Sequence, residues 1–387
     1  MKPCDVAVVG AGPAGCSTAI MLAQHGLQVA LIDRAVFPRD KVCGDFLNPI
    51  NWPVLQELNV AEDLLSVPHS RVSKFRMTVA DGAEAVSVFP EQGERQFGLG
   101  LRRIHLDHLL IERAKRAGVD VYEGVRLTAL RNQSRGWCLD MNRGGELDSI
   151  RPKLLVGADG RNSWVARQLR LASDSPKRSA TVGFSIQLQN VTGVRDSVEI
   201  HQFAGGYAGL VRVDEDTVNL GFAIGRSLLG RSISFETLRE NYLRRNQSLD
   251  KLLRAGEPKS DLRSAWPVYF PPRRCFGDGF LLVGDAARVT EPITGEGVYL
   301  ALRSGQLAAT TVAAAVAEGN LSSARLAAYD RACRAEFGAR LRLNSLIRYF
   351  VYRPRLLSLA IGLLSRRQRL LDSLVSAVCL RRAVYHG

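Results

Sequence analysis

The chain has 387 residues, 46% of them hydrophobic and 23% charged, which is enough apolar material for one large domain or two. Seven scattered cysteines contain no C-x-x-C pair, so neither a disulfide framework nor a metal site is predicted. A formal net charge of +14 indicates an anionic partner, but zinc-finger, helix-turn-helix and RNA-binding signatures are missing, so no nucleic-acid partner is predicted.

The first 33 residues predict a strand, a glycine-rich turn, a helix and a second strand. Gly10, Gly12 and Gly15 form the pattern G-x-G-x-x-G, Gly26 stops the helix, and Asp33 ends the second strand. In such a unit the first glycine permits the tight turn and the second lets the backbone approach a pyrophosphate. The third lets helix and strand pack closely, and the helix N-terminus faces the phosphates. The unit therefore predicts dinucleotide binding.

The end of the second strand indicates which dinucleotide fits. The carboxylate of Asp33 can accept both hydroxyls of an adenosine ribose, and a 2′-phosphate would fit badly beside it. Arg34 keeps NADP open, and the unit alone does not separate FAD from NAD.

Further elements follow in chain order, and they alternate between α/β and purely β segments. They are a polar loop over 37–47, a helix over 53–65, a hairpin over 72–89, a helix from 103 to 117, a strand at 119–122, a hairpin over 137–150, a buried strand at 154–156, β segments throughout 181–224, a helix over 235–253, an aromatic linker at 266–272, a buried strand at 280–283 and an alanine-rich helix over 298–317. The β block inside an α/β chain predicts a separate antiparallel sheet.

We therefore predict an α/β fold with a Rossmann-type dinucleotide-binding domain that is discontinuous in sequence, comprising residues 1–70, 101–180 and 276–330. An inserted antiparallel β-sheet substrate domain comprises 71–100 and 181–275, and C-terminal amphipathic helices comprise 331–387.

Three motifs are predicted to meet at the carboxyl ends of parallel strands, where ligands of open α/β sheets lie. They are the glycine turn, Asp159-Gly160 and Gly284-Asp285. The turn Gly295-Glu296-Gly297 opens the alanine-rich helix, whose N-terminal dipole would stabilise negative charge on a reduced flavin ring. Taken singly, Asp159 or Asp285 is equally compatible with an Asx turn or a helix cap.

This ordered set resembles the glutathione-reductase-like FAD superfamily, in the branch of p-hydroxybenzoate-hydroxylase-type monooxygenases, flavin halogenases and geranylgeranyl reductases. The resemblance covers residues 6–309. Arg103-x-x-Leu106-Asp107 matches the family's R-x-x-F-D segment, whose arginine reaches the ribityl and phosphate region. The resemblance implies FAD, contacted by Gly10, Gly12, Pro13, Ala14, Gly15, Asp33, Arg34, Cys43, Arg103, Val125, Asp159, Gly160, Gly284, Asp285, Pro292, Gly295, Glu296, Gly297 and Val298. Without a second G-x-G-x-x-G, an NADPH or NADH electron donor would dock transiently.

Within the superfamily the motifs resemble geranylgeranyl reductases most. Lys41-x-Cys43-Gly44 and the segment Gly284 to Gly305 carry this likeness, whereas the W-x-W-x-I-P element of tryptophan halogenases is missing. The segment 203–211 is similar to the reductases' substrate strand but has Gly209-Leu210 where aromatic residues are usual. It therefore departs from the pattern expected for a long prenyl substrate.

Candidate catalytic and substrate residues also follow from the resemblance. Cys43 would lie near the flavin, either shaping the pocket and assisting protonation or acting as an ordinary buried residue. Asp45 and Glu296 are the nearest candidate proton donors by motif position. Candidate substrate residues, each also compatible with a core position, are His201, Tyr207, Trp266 and Tyr269.

The resemblance implies an FAD-dependent oxidoreductase that reduces an unsaturated bond in a hydrophobic substrate. The alternative is a flavin monooxygenase that uses NAD(P)H and O₂. A non-enzyme alternative is an escort protein of the GDI type, which binds prenylated partners without flavin chemistry.

The last segment, 341–385, has leucines at helical spacing with arginines between them, which predicts two or three amphipathic helices. They would either cap the substrate domain or form a basic patch for an anionic membrane, which would suit a lipid-like or carrier-bound substrate. We expect no signal peptide before the first strand, and the longest apolar runs predict no membrane span. We expect a cytoplasmic protein, peripheral at the membrane in the second interpretation, and leave its oligomeric state open.

Overall fold

A computed structural model describes residues 4–90, 97–134, 136–171, 181–230 and 233–380. The strands in chain order are β1 Val6–Val9, β2 Val29–Ile32, β3 Phe46–Leu47, β4 Ser70–Val72, β5 Lys74–Thr78, β6 Glu84–Val88, β7 Gly98–Gly100, β8 Asp120–Tyr122, β9 Arg126–Gln133, β10 Gly136–Arg143, β11 Glu146–Ile150, β12 Leu154–Gly157, β13 Thr181–Gln189, β14 Ser197–Phe203, β15 Gly206–Arg212, β16 Val218–Gly225, β17 Glu257–Pro258, β18 Arg263–Ala265, β19 Phe276–Gly277 and β20 Phe280–Leu282.

One helix is shorter than the sequence predicts, and another predicted helix is divided into two. They are α1 Pro13–Gln24, α2 Trp52–Glu57, α3 Arg103–Arg116, α4 Trp164–Gln168, α5 Phe235–Asn241, α6 Gln247–Leu253, α7 Gly297–Ala317, α8 Ser323–Val351, α9 Pro354–Ser365 and α10 Gln368–Cys379. The helix predicted over 53–65 ends early, and Asn59 follows it with φ of 55°. The helix predicted over 235–253 is interrupted where the Asn246 side chain accepts a hydrogen bond from the Leu249 amide at 3.0 Å and caps α6.

The first sheet holds the three predicted strand-end motifs side by side. Its strand order is β19-β20-β12-β1-β2-β8, and β1 pairs in parallel with both β12 and β2. All four residues of β1 are buried, as expected for a parallel strand covered on both faces. The carboxyl ends of β1, β12 and β20 therefore converge on one edge of the sheet.

The second large sheet is built from two separate chain segments. Its order is β17-β13-β16-β15-β14-β5-β6, with β18 also paired to β13. All its pairings are antiparallel except β14 with β5, which is parallel. The predicted class, an α/β fold with an inserted, largely antiparallel sheet, is confirmed. Two small sheets, β11-β10-β9 and β3-β7-β4, complete the described strands.

The C-terminal helices differ from the prediction in where they begin. Helix α8 has 29 residues and runs without interruption across the predicted boundary at 330/331. Its first half packs on β19 and α7, and α9 and α10 pack on β6 at the edge of the second sheet. Their buried residues Leu357, Ile361, Leu371 and Val375 join the core of that sheet. Residues 381–387 of the predicted segment lie outside the described residues.

Helix α7 corrects the expectation about apolar segments. By length and composition it could cross a membrane, and it is the single helix in the described ranges that meets this criterion. In the fold it packs along α1, where Ser17 Oγ donates to the Leu302 carbonyl at 2.7 Å. A Cβ on Gly305 would lie 2.6 Å from the Ala14 carbonyl oxygen, which shows how close the two helices approach. Its apolar character thus serves the core.

Candidate flavin and substrate site

The three glycines of the first turn have different structural reasons. Gly10 has φ of 104°, and a Cβ at this position would lie 2.4 Å from the Ala158 carbonyl oxygen. A Cβ on Gly15 would lie 1.8 Å from the Gly10 carbonyl oxygen. At Gly12, however, the nearest heavy atom to such a Cβ is Arg39 Nη2 at 3.9 Å, so the space above this backbone is open. Protein packing requires Gly10 and Gly15, whereas Gly12 leaves room for a ligand at the start of α1.

Asp33 is fixed at the end of β2 by two backbone donors. Its Oδ2 accepts from the Ala11 amide at 2.7 Å and its Oδ1 from the Ala35 amide at 2.9 Å. The carboxylate is half-buried and oriented, as a ribose acceptor needs to be. Arg34 is exposed, and Val125 contributes only a backbone hydrogen bond to the Asp33 carbonyl at 3.0 Å.

Two arginines pair with one buried carboxylate beside the glycine turn, and a lysine adds a third cation to this region. Arg103, the first residue of α3, donates from Nε and Nη2 to the two Asp107 oxygens at 2.9 Å each. Arg39 Nη1 lies 3.2 Å from Asp107 Oδ2. Burial and the nearby Arg103 lower the pKa of the third cation, Lys41. This excess of positive charge beside the open backbone at Gly12 fits the diphosphate of FAD.

The two aspartates of the other strand-end motifs have different roles. Asp159 Oδ2 accepts from the Trp164 and Val165 amides at 2.6 and 3.0 Å, so this carboxylate caps α4. Asp159 is therefore a helix cap beside Gly160, and its contact with the cofactor stays a prediction. Asp285 instead lines the cavity, 3.8 Å from the guanidinium of Arg161.

A cavity of about 500 Å³ lies between the two large sheets. Its cofactor side contains eleven of the predicted contacts: Gly12, Pro13, Ala14, Cys43, Arg103, Gly160, Asp285, Pro292, Gly295, Gly297 and Val298. The remaining predicted contacts do not line it: Gly10, Gly15, Asp33, Arg34, Val125, Asp159, Gly284 and Glu296. Lys41 and Arg161 line it without having been predicted as contacts, although each stands beside a predicted motif.

The proton-donor candidates also differ in whether they line the cavity. Cys43 lines the cavity, and burial raises the pKa of its thiol despite the opposing effect of Arg103. Asp45 lies outside the cavity wall, where its Oδ1 accepts from the Arg103 amide at 3.1 Å and burial raises its pKa to about 7. Glu296 is buried and pairs with Arg340 Nη1 at 2.8 Å, also away from the cavity. Of the three, only Cys43 lines the cavity.

Of the predicted substrate residues, Tyr207 lines the cavity and the other three do not. Along β14, Val198 and Ile200 face the cavity, so the alternation of the strand places His201 on the opposite face. There its Nδ1 lies 2.8 Å from Thr78 Oγ1 and its Nε2 lies 3.3 Å from Glu199. The prediction of a substrate role for His201 is wrong for this reason of register.

In the aromatic linker, too, the predicted residues lie outside the cavity wall. Arg226 lies over the Trp266 ring at 5.0 Å, and Arg348 lies over the Tyr269 ring at 4.1 Å. Val268, between them, points into the cavity instead. Trp266 and Tyr269 therefore hold arginines in place and do not form the substrate wall.

The C-terminal helices supply the part of the wall that sequence reasoning missed. Apolar residues from all three helices line the cavity: Leu343, Leu346, Ile347, Phe350, Leu357, Ala360, Ile361, Leu364, Leu371, Leu374, Val375, Val378 and Cys379. The available signal was in α9, whose sequence PRLLSLAIGLLS is apolar on more than one face.

A buried carboxylate joins the two sheets to this helical wall. Glu291 Oε1 accepts from the hydroxyls of Tyr207 at 2.7 Å and Tyr352 at 3.3 Å, and its Oε2 accepts from Arg348 at 3.1 Å. Its backbone carbonyl accepts from the Asn344 side chain at 3.0 Å. The network fixes α8 against the loop that follows β20, so the chamber has a defined roof.

A family model described as an FAD binding domain matches residues 3–342, and the chain belongs to this family. Menaquinone reductase of Mycobacterium tuberculosis is 30% identical over 79% of this chain and 75% of its own length. Digeranylgeranylglycerophospholipid reductase 1 of Methanothermobacter thermautotrophicus is 26% identical over 86% of this chain and 83% of its own. A pyrrole-2-carbonyl-[peptidyl-carrier protein] chlorinase of Pseudomonas fluorescens is also 26% identical, over 91% and 86%.

Solved structures show the same fold. A flavin-dependent brominase superposes with a TM-score of 0.81 at 21% identity, covering 97% of this chain and 94% of that one. The family model and the reductase relatives show that the chain is an FAD-dependent oxidoreductase, and the predicted resemblance to the geranylgeranyl reductase and hydroxylase-like superfamily is confirmed. Reductases and halogenases stand at similar distances from it, so the family leaves the particular reaction open.

Proposed function

We propose that the protein reduces an unsaturated bond in a hydrophobic substrate, with NADPH or NADH as electron donor. The observation that supports this is the continuous cavity, which passes from the phosphate cradle at Gly12 to an apolar chamber under the C-terminal helices. When bound, FAD supplies hydride transfer. Two electrons and one proton leave the nicotinamide donor as hydride, and a second proton is needed to saturate the bond.

The residues of the chain have separate tasks in this scheme. Arg103 and Lys41 hold the anionic part of the cofactor, and the apolar wall excludes water and orients the substrate chain. Cys43 lies where these two regions meet. Burial raises the pKa of its thiol, so Cys43 is protonated at neutral pH, and its position in the cavity wall makes it our candidate donor of the second proton from Sγ.

The experiment that tests the reaction is anaerobic flavin reduction with NADH or NADPH, using geranylgeraniol and menaquinone as probes of an unsaturated polyprenyl chain. Reoxidation of the flavin coupled to a saturated product supports the proposal. Flavin that stays reduced until O₂ is admitted, and then yields a hydroxylated product, overturns it in favour of the monooxygenase alternative.

The role of Cys43 is tested with C43A and C43S. We expect C43A to lower kcat for substrate saturation by at least about 100-fold, the usual contribution of general acid catalysis, while flavin reduction by dithionite keeps its rate. The solvent isotope effect on turnover should rise in C43S, because a poorer acid makes proton transfer slower. Unchanged kcat in C43A would show that another group, or water, supplies the proton.

A further inference from the structure

Helix α9 has an apolar face that the protein does not cover. Leu357 and Ile361 are buried against the second sheet. Leu356, Leu359 and Leu363, spaced three and four residues apart, form a second stripe along α9, and Leu359 is 72% exposed. A helix that only capped the sheet would carry polar residues at these positions.

The exposed stripe continues onto the neighbouring helices. Of the thirteen large apolar side chains exposed in the described part of the chain, seven lie between residues 346 and 374. We call them the leucine-arginine face, together with the arginines that flank α9; its members are Leu346, Tyr349, Arg353, Arg355, Leu356, Leu359, Leu363, Arg366, Arg367, Arg369, Leu370 and Leu374. Exposed apolar surface on this scale marks an interaction site in a folded protein.

The charge of this face is uniformly positive. Arg353 and Arg355 stand at the start of α9, and Arg366, Arg367 and Arg369 follow its end. Within the described residues no ion pair is made by Arg355, Arg366, Arg367 or Arg369.

Acidic groups are few in the same region, although Asp81, between β5 and β6, accepts a hydrogen bond from Ser358 of α9. Within the described residues after 340 the single acid is Asp372, and its Oδ1 accepts from Ser87 at 2.7 Å and Gln368 at 2.8 Å. An apolar stripe bordered by free arginines is the composition that binds at the interface of an anionic bilayer.

The leucine-arginine face and the cavity share side chains. Leu346 is 54% exposed and Leu374 is 38% exposed, yet both also line the cavity. The helices that form the wall of the chamber therefore also form the outer surface.

We propose that the leucine-arginine face docks on an anionic lipid bilayer and that the hydrophobic substrate enters the chamber from the bilayer, between α8 and α10. The inference rests on the proposed function, because it names the source of that substrate. An acidic carrier protein would also be attracted by the arginines, but a charge-guided contact does not require seven exposed apolar side chains beside them.

The test is flotation of the purified, FAD-loaded full chain with vesicles of phosphatidylcholine alone or with 30% phosphatidylglycerol. We expect binding to the anionic vesicles, weakened by salt. The variant R366Q/R367Q/R369Q should lose affinity by on the order of 100-fold, since each arginine near such a surface contributes roughly tenfold or less. The variant L359S/L363S should lose at least about tenfold.

Matched controls remove the same kinds of side chain elsewhere. L147S removes an exposed leucine of β11, and K251Q/R254Q removes two exposed cations of and beside α6. Both should bind vesicles like the unchanged protein. Flavin content and melting temperature of every variant establish that folding is intact, which is expected because all substituted side chains are exposed.

Three results would overturn the inference. The first two are no vesicle binding by the unchanged protein and vesicle binding that L359S/L363S does not weaken. The third is occupation of the face by an acidic acyl carrier protein or a second copy, detected by sedimentation velocity. Vesicle binding requires no turnover, so it can succeed or fail independently of the proposed reaction. With geranylgeraniol, L359S/L363S should turn over more slowly from vesicles and normally in detergent.

Discussion

The cofactor side and the substrate side of the cavity are built on different principles. On the cofactor side, glycine backbone, a helix N-terminus and buried cations are arranged at the ends of neighbouring parallel strands. On the substrate side, apolar side chains from the second sheet and from the last three helices form the wall. The first side constrains residue identity at single positions, whereas the second constrains mainly shape and apolar character. Substitutions should therefore act very differently on the two sides.

The largest effect is expected within the glycine turn, where G15A and G12A form a matched pair. A Cβ at position 15 would lie 1.8 Å from a backbone oxygen, so G15A should yield no stable FAD-bound protein. At position 12 a Cβ meets only a flexible arginine at 3.9 Å. G12A should therefore keep the melting temperature of the apoprotein and weaken FAD binding at least about tenfold, measured by fluorescence titration. Equal FAD affinity in G12A and the unchanged protein would contradict the cradle.

Next in size is the pH dependence caused by Asp45. Burial raises the pKa of this carboxyl from 3.8 to about 7, so the folded protein holds the proton more tightly than the unfolded chain. The contribution of Asp45 to stability is then greatest below pH 4, falls as the pH rises toward 7, and changes no further above it, with a total loss of about 4 kcal/mol. D45N should lack this slope in urea unfolding between pH 4 and 8. The control D148N alters an exposed carboxyl and should follow the unchanged protein; parallel curves for D45N would rule out the assignment.

A smaller effect is expected from E291Q, which tests how the roof is attached to the sheets. The substitution keeps an acceptor for Tyr207 but removes the charge that pairs with Arg348 at 3.1 Å. We expect a loss of about 2 kcal/mol in the free energy of unfolding, because a charged hydrogen bond is removed. The loss is not larger because Arg348 is partly exposed and water can hydrate it. The double variant E291Q/R348Q should recover part of it. Independent, additive losses would show that the two side chains are not coupled.

The smallest effects test which aromatic residues form the wall of the chamber. W266F and Y269F alter aromatic residues outside the cavity and should leave KM for the hydrophobic probe within about twofold. Y207L, which alters a residue of the cavity wall that is bonded to Glu291, should raise KM severalfold. A raised KM in W266F together with an unchanged KM in Y207L would contradict the assignment of residues to the cavity wall.

The glycine turn and the strand ends of the cofactor side could be predicted from the sequence because their requirements are local. Gly10, Gly15 and Asp33 are each demanded by a backbone conformation, a close packing contact or a strand end, and such demands leave a fixed spacing in the chain. Even there, Asp159 illustrates a limit: a carboxylate after a strand serves equally well as a helix cap, and only the hydrogen bonds to α4 decide between them.

The substrate side could not be predicted to the same degree because strand register and local loop geometry decide it. His201 belongs to the right strand but to the wrong face, and Trp266 and Tyr269 flank the inward-facing Val268. The helical wall leaves no motif at all, since a leucine that lines a chamber and a leucine that packs in a core obey the same spacing.

Helix α8 has one more consequence. At about 1.5 Å per residue its 29 residues extend roughly 43 Å, and Arg340, near its middle, pairs with Glu296 at the start of α7. A chimera joined at 330/331 would divide α8. It would replace Arg340, which pairs with Glu296, together with the C-terminal half of the helix. A junction at Arg353, between α8 and α9, would exchange only the outer roof. Grafting the last two helices of a relative at that point should therefore change which molecules fit beneath them while the flavin half keeps its own supports.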